Sequence, residues 1–341
     1  MAITAAMVKE LREMTGAGMM DCKKALTETN GDMDAAVDVL KKSGAAKMEK
    51  KQSRIAAEGI ARVAVNGNVA VVAEVNSETD FVAKNETFQE FVQTVADTAL
   101  ASDLNGGANG EDIEALLATN GLSDLLVEKT ATIGEKLSVR RFAKVTGDAV
   151  ASYIHGGGRI GVLVAGNGAS DDAAKEALTN IAMQIAAMNP QYISRDEISA
   201  DELAKMKEIT IDSALNDPFS LPKPVLSKLI EKAVAGVWSA EDVAIYEEKK
   251  SNMNFLPNFL SKEAKAQLAE IACADKEEIS GNKIFSGLVE GRISKQMKEI
   301  CLLDQVYVKA EDGKQTVAAY LKSVNPALKI AKFVRFEVGE G

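Results

Sequence analysis

The chain is poor in the residues that most often carry covalent chemistry or covalent cross-links. Its 341 residues include three cysteines, one histidine and one tryptophan. Cys22, Cys273 and Cys301 are odd in number and far apart, which favours neither a disulfide framework nor a zinc site, so we expect reduced, mostly packed thiols. His155 would have to serve any Ser-His-Asp or Cys-His relay, yet its neighbours offer no nucleophile on a sharp turn. The sequence therefore predicts no catalytic residue.

Long apolar runs and an excess of positive charge are also absent. No run reaches the roughly 20 residues of a bilayer-spanning helix, and the amino terminus has no signal-peptide core, so we expect a cytoplasmic protein without a membrane segment. The formal net charge of −10 argues against a surface for nucleic-acid phosphates and favours a protein or small-molecule partner. With 46% hydrophobic and 26% charged residues, the chain is sufficient for two or three globular domains.

Patterns that bind phosphate or metal ions are incomplete. Residues 16–18 (GAG) lack the lysine and hydroxyl spacing of a P-loop. Residues 166–168 (GNG) lie between a predicted strand and a predicted helix, but the third glycine of a dinucleotide site is missing. Asp171 and Asp172 would also repel an anion at that helix N-terminus. The acidic residues show no calcium-loop pattern, so we predict neither a cofactor nor a bound metal.

The first 44 residues have the pattern of three short helices. Thr4 and Asp32 are predicted to cap the first and third helices, and Gly44 is predicted to end the third. Residues 45–58 carry several basic side chains and little apolar content beyond alanine. This composition predicts a linker.

A hairpin followed by a helix occurs twice in the middle of the chain. The predicted strands and helix lie at residues 60–65, 69–75 and 85–101 in the first copy, and at residues 150–154, 160–165 and 170–188 in the second. Further helices are predicted at residues 113–117 and 122–133, and further strands at residues 137–145, 306–308 and 333–338. We assign residues 59–145 to one core half (half N), and residues 146–195 with 302–341 to the other (half C). Each half is predicted to have an antiparallel sheet covered by helices on one face, which makes the fold class α+β.

Residues 196–301 form a helical block without predicted strands. Apolar residues recur on an outgoing arm and on a returning arm, namely Leu203, Met206 and Ile209, then Ile284, Leu288 and Ile293. Because a strand pattern resumes after the block, we predict a helical, coiled-coil-like protrusion inserted into the sheet of half C.

Residues 74–84 (EVNSETDFVAK) join a predicted strand to a predicted helix and place Asp80 beside Phe81 in a polar turn. A phenylalanine gains about 1.5–3 kcal/mol on full burial, so on a loop it packs either into its own core or into that of another molecule. Composition alone favours packing of Phe81 under its own helix.

Three stretches resemble sequences of the elongation factor Ts family, the nucleotide exchange factors of bacterial and organellar translation. They are residues 11–26 (LREMTGAGMMDCKKAL), residues 74–84, and residues 289–308 (VEGRISKQMKEICLLDQVYV). The resemblance covers residues 1–192 and 287–341, and the first two stretches match long signatures in the right order. The resemblance favours packing of Phe81 into the core of another molecule.

The resemblance implies a guanine-nucleotide exchange factor that binds elongation factor Tu, both GDP-bound and nucleotide-free, and speeds GDP release without covalent chemistry. The stretch matched by Thr79, Asp80, Phe81 and Val82 disturbs the magnesium site of the partner in this family. The first 44 residues are similar to a ubiquitin-associated module.

The resemblance also implies further contacts with the partner. Arg12, Met19 and Met20 correspond to residues that face the partner's nucleotide domain, although in isolation two such methionines would more often be core. His155 lies in a hairpin similar to one whose histidine points towards another domain of the partner. Taken alone, a histidine beside three glycines is ordinarily a surface residue.

Two other classes of function stay open at the level of sequence. A translation-associated RNA-binding protein could use the basic residues at 41–54 with Arg140 and Arg141, and its binding would weaken steeply with salt. An enzyme is a more remote alternative. The sequence also leaves the oligomeric state and the role of residues 196–301 open, since the block is longer than the plain helical hairpin of familiar family members.

Overall fold

The structure is a computed structural model that describes residues 3–340. Met1, Ala2 and Gly341, at the ends of the predicted first module and of half C, lie outside the described residues. Two small antiparallel sheets combine with many helices, so the α+β class is correct. The finer domain boundaries given above stay predictions.

The chain divides into two compact units. The first unit combines Met1–Asn189 with Val306–Gly341, and the second is Pro190–Gln305. The helices of the first unit are α1 (Ala5–Thr15), α2 (Met19–Glu28), α3 (Met33–Glu49), α4 (Asp80–Ala83), α5 (Glu86–Ala101), α6 (Ile113–Leu117), α7 (Leu122–Ile133), α8 (Asp172–Met188) and α15 (Val317–Val324). Its strands are β1 (Glu58–Asn66), β2 (Val69–Ser77), β3 (Gly106–Gly107), β4 (Ser138–Thr146), β5 (Ala149–His155), β6 (Ile160–Asn167) and β7 (Lys329–Glu337). The helices of the second unit are α9 (Ala200–Asn216), α10 (Lys223–Val234), α11 (Ala240–Lys249), α12 (Lys262–Ala274), α13 (Lys276–Ser280) and α14 (Lys283–Ile300).

The first three helices begin where the sequence predicts caps. The Thr4 hydroxyl accepts a hydrogen bond from the backbone of Met7, and the Asp32 carboxylate accepts one from Ala35 at 3.0 Å. Such caps satisfy backbone N–H groups that have no partner within the helix. The three helices enclose a small core of Val8, Leu11, Cys22, Ala25, Leu26 and Ala36.

The predicted end of α3 at Gly44 is wrong, because the helix continues to Glu49. Gly44 lies against α7, and a Cβ atom at this position would sit only 3.1 Å from the Val127 side chain. The glycine therefore permits close packing of two helices and does not terminate one. As a result, the first part of the predicted linker is helical.

The first sheet has the strand order β1-β2-β4-β3 and is antiparallel. Helix α5 packs on one face, and its apolar residues Phe88, Phe91, Val92, Val95 and Ala99, which recur at helical spacing, are buried. The core between sheet and helices includes Phe88, Phe91, Val92, Val95, Leu126 and Phe142.

The second sheet has the antiparallel order β5-β6-β7 and is covered by α8. Strand β7 pairs with β6 although the whole second unit lies between them in sequence. The open faces of the two sheets pack against each other through Ala61, Val72, Val145, Leu163, Ala165 and Phe336. Both halves of the first unit thus share one continuous layer of apolar side chains.

A buried ion pair lies in this layer between the sheets. The Glu74 carboxylate is fully buried and accepts a hydrogen bond from Arg141 Nε at 2.6 Å. The Arg141 guanidinium also covers the Phe336 ring, 4.4 Å from its centroid. A buried charge needs such a partner because leaving water is costly.

The strand predicted at residues 306–308 is wrong. Val306 makes only an isolated bridge to Thr316, while Tyr307 is buried and stacks on Tyr320 of α15 with ring centroids 4.0 Å apart. Only Tyr307 of this segment packs against helix α15, which periodicity alone did not reveal, while Val306 and Val308 are about half exposed. Burial raises the pKa of the Tyr307 phenol well above its ordinary value.

The second unit has a hydrophobic core of its own. The core includes Leu215, Leu226, Ile230, Trp238, Leu256, Leu268, Phe285 and Val289. Trp238 donates its indole N–H to the carbonyl of Ala264 at 2.9 Å, so the tryptophan is an internal anchor of this unit. Helices α9 and α14 contact each other, but Leu203, Ile209 and Ile284 on the predicted arms are exposed.

The three cysteines are free thiols, as predicted. Cys22 and Cys301 are buried, and burial raises the pKa of both thiols. Cys273 is exposed, so two of the three thiols are packed, in agreement with the expectation of mostly packed thiols. Among residues 3–340, no helix combines the length and apolar content that a bilayer crossing requires.

Candidate functional site

The segment between β2 and α5 forms a short, ordered loop. Thr79 caps α4, its hydroxyl accepting a hydrogen bond from the backbone of Val82 at 3.4 Å. Lys84 ends this single turn, and Asn85 caps α5. The predicted polar turn is therefore a helical turn between two N-caps.

Phe81 is 80% exposed at this turn. Its neighbours Val82 and Ala83 pack against the core of the first unit and so fix the position of the turn. The ring of Phe81 is therefore not packed under its own helix, although composition alone favoured that arrangement. The exposed ring is therefore available to pack into an apolar slot of another molecule, the second of the two alternatives for Phe81.

Asp80 lies beside the exposed ring and is itself exposed. Its carboxylate accepts a hydrogen bond from Lys84 Nζ at 2.8 Å, one helical turn away. This hydrogen bond and the positive charge of Lys84 lower the pKa of Asp80. The loop thus presents an ionised carboxylate next to an aromatic ring at neutral pH.

Charged side chains from distant parts of the sequence hold the start of the loop. Glu135, which follows α7, accepts hydrogen bonds from the backbone N–H groups of Glu78 and Thr79 at 3.1 and 3.0 Å. Glu78 accepts a hydrogen bond from the backbone of Lys136 at 2.6 Å and pairs with Arg54 at 3.2 Å. Sequence reasoning missed Glu78 and Glu135, because their partners lie far along the chain and no local pattern marks them.

Arg12 lies in the last turn of α1, and Met19 and Met20 are the first residues of α2. Gly16 adopts a left-handed conformation with φ of 66° and ends α1, and Gly18 precedes the first turn of α2. Met19 is 60% and Met20 66% exposed, so neither belongs to the core of the three helices. Arg12 is also exposed. Met14 of α1 is another exposed methionine that sequence reasoning did not select.

His155 is exposed at the end of β5, in the second sheet. Its Nδ1 atom lies 3.1 Å from the Tyr153 hydroxyl, and the two rings are 5.9 Å apart. The structure thus groups the predicted residues into three surfaces. These are the loop of Thr79, Asp80, Phe81 and Val82 (the Phe81 loop), the exposed Met19 and Met20 with Arg12 (the methionine surface), and the hairpin end with His155.

The arginines considered for RNA binding are engaged within the protein. Arg141 is 8% exposed and pairs with Glu74, while Arg140 donates to the carbonyl of Glu340 at 2.7 Å. In the predicted linker, Lys51 donates to the Gly134 carbonyl, and Arg54 pairs with Glu78. These basic groups have partners of their own and leave less free charge for phosphates. Within residues 3–340, no group of three or more His, Cys, Asp or Glu residues could hold a metal ion.

Comparisons with known proteins agree on one family. A family model described as Elongation factor TS matches residues 78–249 and 251–340. Elongation factor Ts of Clostridioides difficile (strain 630) is 43% identical over 350 aligned residues, which cover 99% of this chain and 93% of the relative. The exposed loop around Phe81, the methionine surface and the two-sheet core all lie within the aligned region. The chain therefore belongs to the elongation factor Ts family and is a translation elongation factor of protein biosynthesis.

Proposed function

We propose that this protein is a guanine-nucleotide exchange factor that binds elongation factor Tu, in its GDP-bound and nucleotide-free forms, and promotes GDP release. The observation that carries the proposal is the outward position of Phe81 on an ordered turn beside ionised Asp80. Membership of the family supports the choice of partner. The proposal includes a cytoplasmic location, where elongation takes place, and no covalent chemistry.

The mechanism is a competition for the nucleotide site of the partner. GDP is held in part by a magnesium ion that neutralises phosphate charge and requires near-octahedral oxygen ligands. In our proposal Phe81 inserts into an apolar slot of the partner, while Asp80 disturbs the neighbouring magnesium ligands. Thr79 and Val82 set the position of the turn. Once the ion loses its ligand geometry, the phosphates are held less tightly and GDP dissociates.

The burial of one phenylalanine is not enough on its own to displace GDP. Burial of a phenylalanine contributes about 1.5–3 kcal/mol, while each tenfold change in affinity corresponds to about 1.4 kcal/mol. We therefore assign additional contacts to Arg12, Met19 and Met20, and a further contact to His155. Methionine side chains suit an adaptable contact because they are flexible and polarisable.

The same proposal extends to the finer architecture. We propose that the helices α1, α2 and α3 form a ubiquitin-associated-like module that carries the methionine surface. The first and last helices of the second unit, α9 and α14, contact each other as the arms of a helical hairpin do. Exchange also requires reciprocity, so GDP must weaken the binding of this protein by the same factor by which the protein weakens GDP.

Release of fluorescent GDP from purified elongation factor Tu, with and without this protein, tests the function. We expect the release rate to rise with protein concentration and to reach a plateau. The heat-denatured protein serves as a control at the same concentration. A release rate independent of the native protein would refute the proposed exchange activity.

A further inference from the structure

We propose that Glu135 is a positioning residue for nucleotide exchange, which holds the Phe81 loop in the conformation that enters the partner. This inference rests on the function proposed above and adds a residue outside the loop itself. The geometry behind it is a carboxylate that binds three donors at the base of an exposed turn.

Both oxygens of Glu135 are used by the loop. Oε2 accepts hydrogen bonds from the backbone N–H groups of Glu78 and Thr79 at 3.1 and 3.0 Å. Oε1 accepts a hydrogen bond from the Thr79 hydroxyl at 2.7 Å. The same hydroxyl caps α4 by accepting from the backbone of Val82, so Glu135 fixes the orientation of the cap. Hydrogen bonds to an ionised carboxylate are stronger than neutral ones.

A second carboxylate connects the same two segments in the opposite direction. Glu78 accepts a hydrogen bond from the backbone N–H of Lys136 at 2.6 Å, so Glu78 and Glu135 each bind the backbone of the other's segment. Lys136 in turn donates its Nζ to the carbonyls of Gln52 and Arg54 at 2.7 and 2.8 Å. The short connection after α7 therefore holds both the Phe81 loop and the segment that follows α3.

This connection also lies next to the helices that carry the methionine surface. Helix α3 packs along α7, and the Thr132 hydroxyl of α7 donates to the Gly16 carbonyl at 3.4 Å. Gly16 ends α1 and lies in the same short connection as Gly18, which directly precedes the exposed Met19 and Met20. Helix α7 and the Glu135 that follows it thus contact both the Phe81 loop and the connection that leads to the methionine surface.

Pre-organisation explains why such a residue would affect exchange without touching the partner. A loop that is already in its bound conformation loses less conformational entropy on binding. Without Glu135, the two backbone N–H groups and the Thr79 hydroxyl would exchange their charged partner for water. The turn would then sample other conformations, and fewer complexes would have Phe81 inserted at any moment.

The test compares variants of Glu135 in the full-length protein. We expect Glu135→Ala to lower the maximal rate of GDP release by roughly tenfold, the order associated with the loss of a charge-assisted hydrogen bond, with the half-saturating concentration little changed. Glu135→Gln keeps one acceptor oxygen for the two backbone N–H groups, so it should lower the maximal rate of GDP release by a smaller factor. Glu114→Ala removes an exposed carboxylate elsewhere in the same unit and serves as the charge-matched control.

Two readouts separate positioning from a general loss of structure. Hydrogen exchange of the Glu78 and Thr79 amides should accelerate in Glu135→Ala, while the amides of α5 keep their protection. In a double-mutant cycle, Glu135→Ala should have little further effect on the maximal rate once Phe81 is alanine, because both changes act through the same loop.

Failure of this inference differs from failure of the proposed function. If the wild-type protein does not accelerate GDP release, the exchange function itself is refuted. If the wild type accelerates release and Glu135→Ala does so equally well, or if the Glu78 and Thr79 amides exchange as slowly as in the wild type, only the positioning role is refuted. Additive effects of the two alanine substitutions would likewise contradict it.

Discussion

Phe81 and Phe88 lie close together in sequence, yet 80% of Phe81 is exposed and 0% of Phe88. In one continuous helix the two residues, at positions i and i+7, would share a face. In the structure they lie on two distinct helices: Thr79 caps the turn that carries Phe81, and Asn85, between the two aromatics, caps the helix that carries Phe88. Residue type therefore does not decide which aromatic is buried. The decisive factor is the pair of N-caps, Thr79 and Asn85, which end one helical turn and begin another helix, so that the turn carrying Phe81 faces outward.

The largest effect that this comparison predicts is on stability. Phe88→Ala should lower the free energy of unfolding by about 3–5 kcal/mol, because a fully buried phenylalanine leaves a cavity in the core. Equilibrium denaturation monitored by circular dichroism provides the measurement. Phe88→Leu keeps most of the apolar volume, so it should lower the free energy of unfolding by a clearly smaller amount. A Phe88→Ala protein with wild-type stability would show that this ring is not part of the core.

The second prediction compares the effects of exposed Met19 and Met20 on nucleotide exchange with that of exposed Phe81. Replacing Met19 and Met20 together by alanine should raise the half-saturating concentration for exchange roughly 5- to 30-fold, equivalent to about 1–2 kcal/mol of binding. The maximal rate should stay unchanged, because our proposal assigns disturbance of the magnesium ligands to the Phe81 loop and only binding to Met19 and Met20. GDP release titrated with each protein measures both quantities. A lower maximal rate with unchanged half-saturation would contradict this division of roles.

Local sequence patterns predicted most elements of the first unit but not the positions of the polar contacts between them. Helices α6 and α7 have the predicted bounds, and the predicted caps at Thr4 and Asp32 are present, since periodicity and capping are local signals. Gly44 was misread because a glycine at a helix crossing looks the same in sequence as a glycine at a helix end.

In the candidate site, too, local sequence identified some features, while contacts between distant segments could not be predicted. The residues of the loop could be named from their resemblance to a family, whereas the exposure of Phe81 could not be derived from composition. Glu135 could not be found at all, because its role depends on partners 57 and 56 residues away. Interactions of this kind become visible only when the fold brings the segments together.

A third and smaller effect is expected for the pH dependence of the loop. The hydrogen bond from the Lys136 backbone, with support from Arg54, lowers the pKa of Glu78 below its ordinary value of 4.5. The contribution of ionised Glu78 to stability is therefore complete above that value and is lost as the pH falls through the lowered pKa. The amide chemical shift of Lys136 should titrate with a midpoint below 4.5. A midpoint at or above 4.5, or an unchanged titration in Glu78→Gln, would exclude this contact.

The smallest effect is expected for the surface pair of Asp80 and Lys84. Both side chains are largely exposed, so solvent screens their attraction and the pair contributes little to stability. Lys84→Ala should leave the denaturation midpoint unchanged and should raise the pKa of Asp80 towards its ordinary value. Because Asp80 stays ionised at neutral pH, the maximal exchange rate should change by less than about twofold, the size of effect expected for a surface substitution. A large loss of exchange would assign Lys84 a direct role at the partner.

The most direct test of the account is the rate of GDP release from elongation factor Tu at saturating concentrations of wild-type protein and of Phe81→Ala. We expect the variant to fold with wild-type stability, since the ring is exposed, and to release GDP about 10- to 100-fold more slowly, the range that corresponds to burial of one phenylalanine. Equal maximal rates for the two folded proteins would contradict the central claim that the exposed ring of Phe81 opens the nucleotide site.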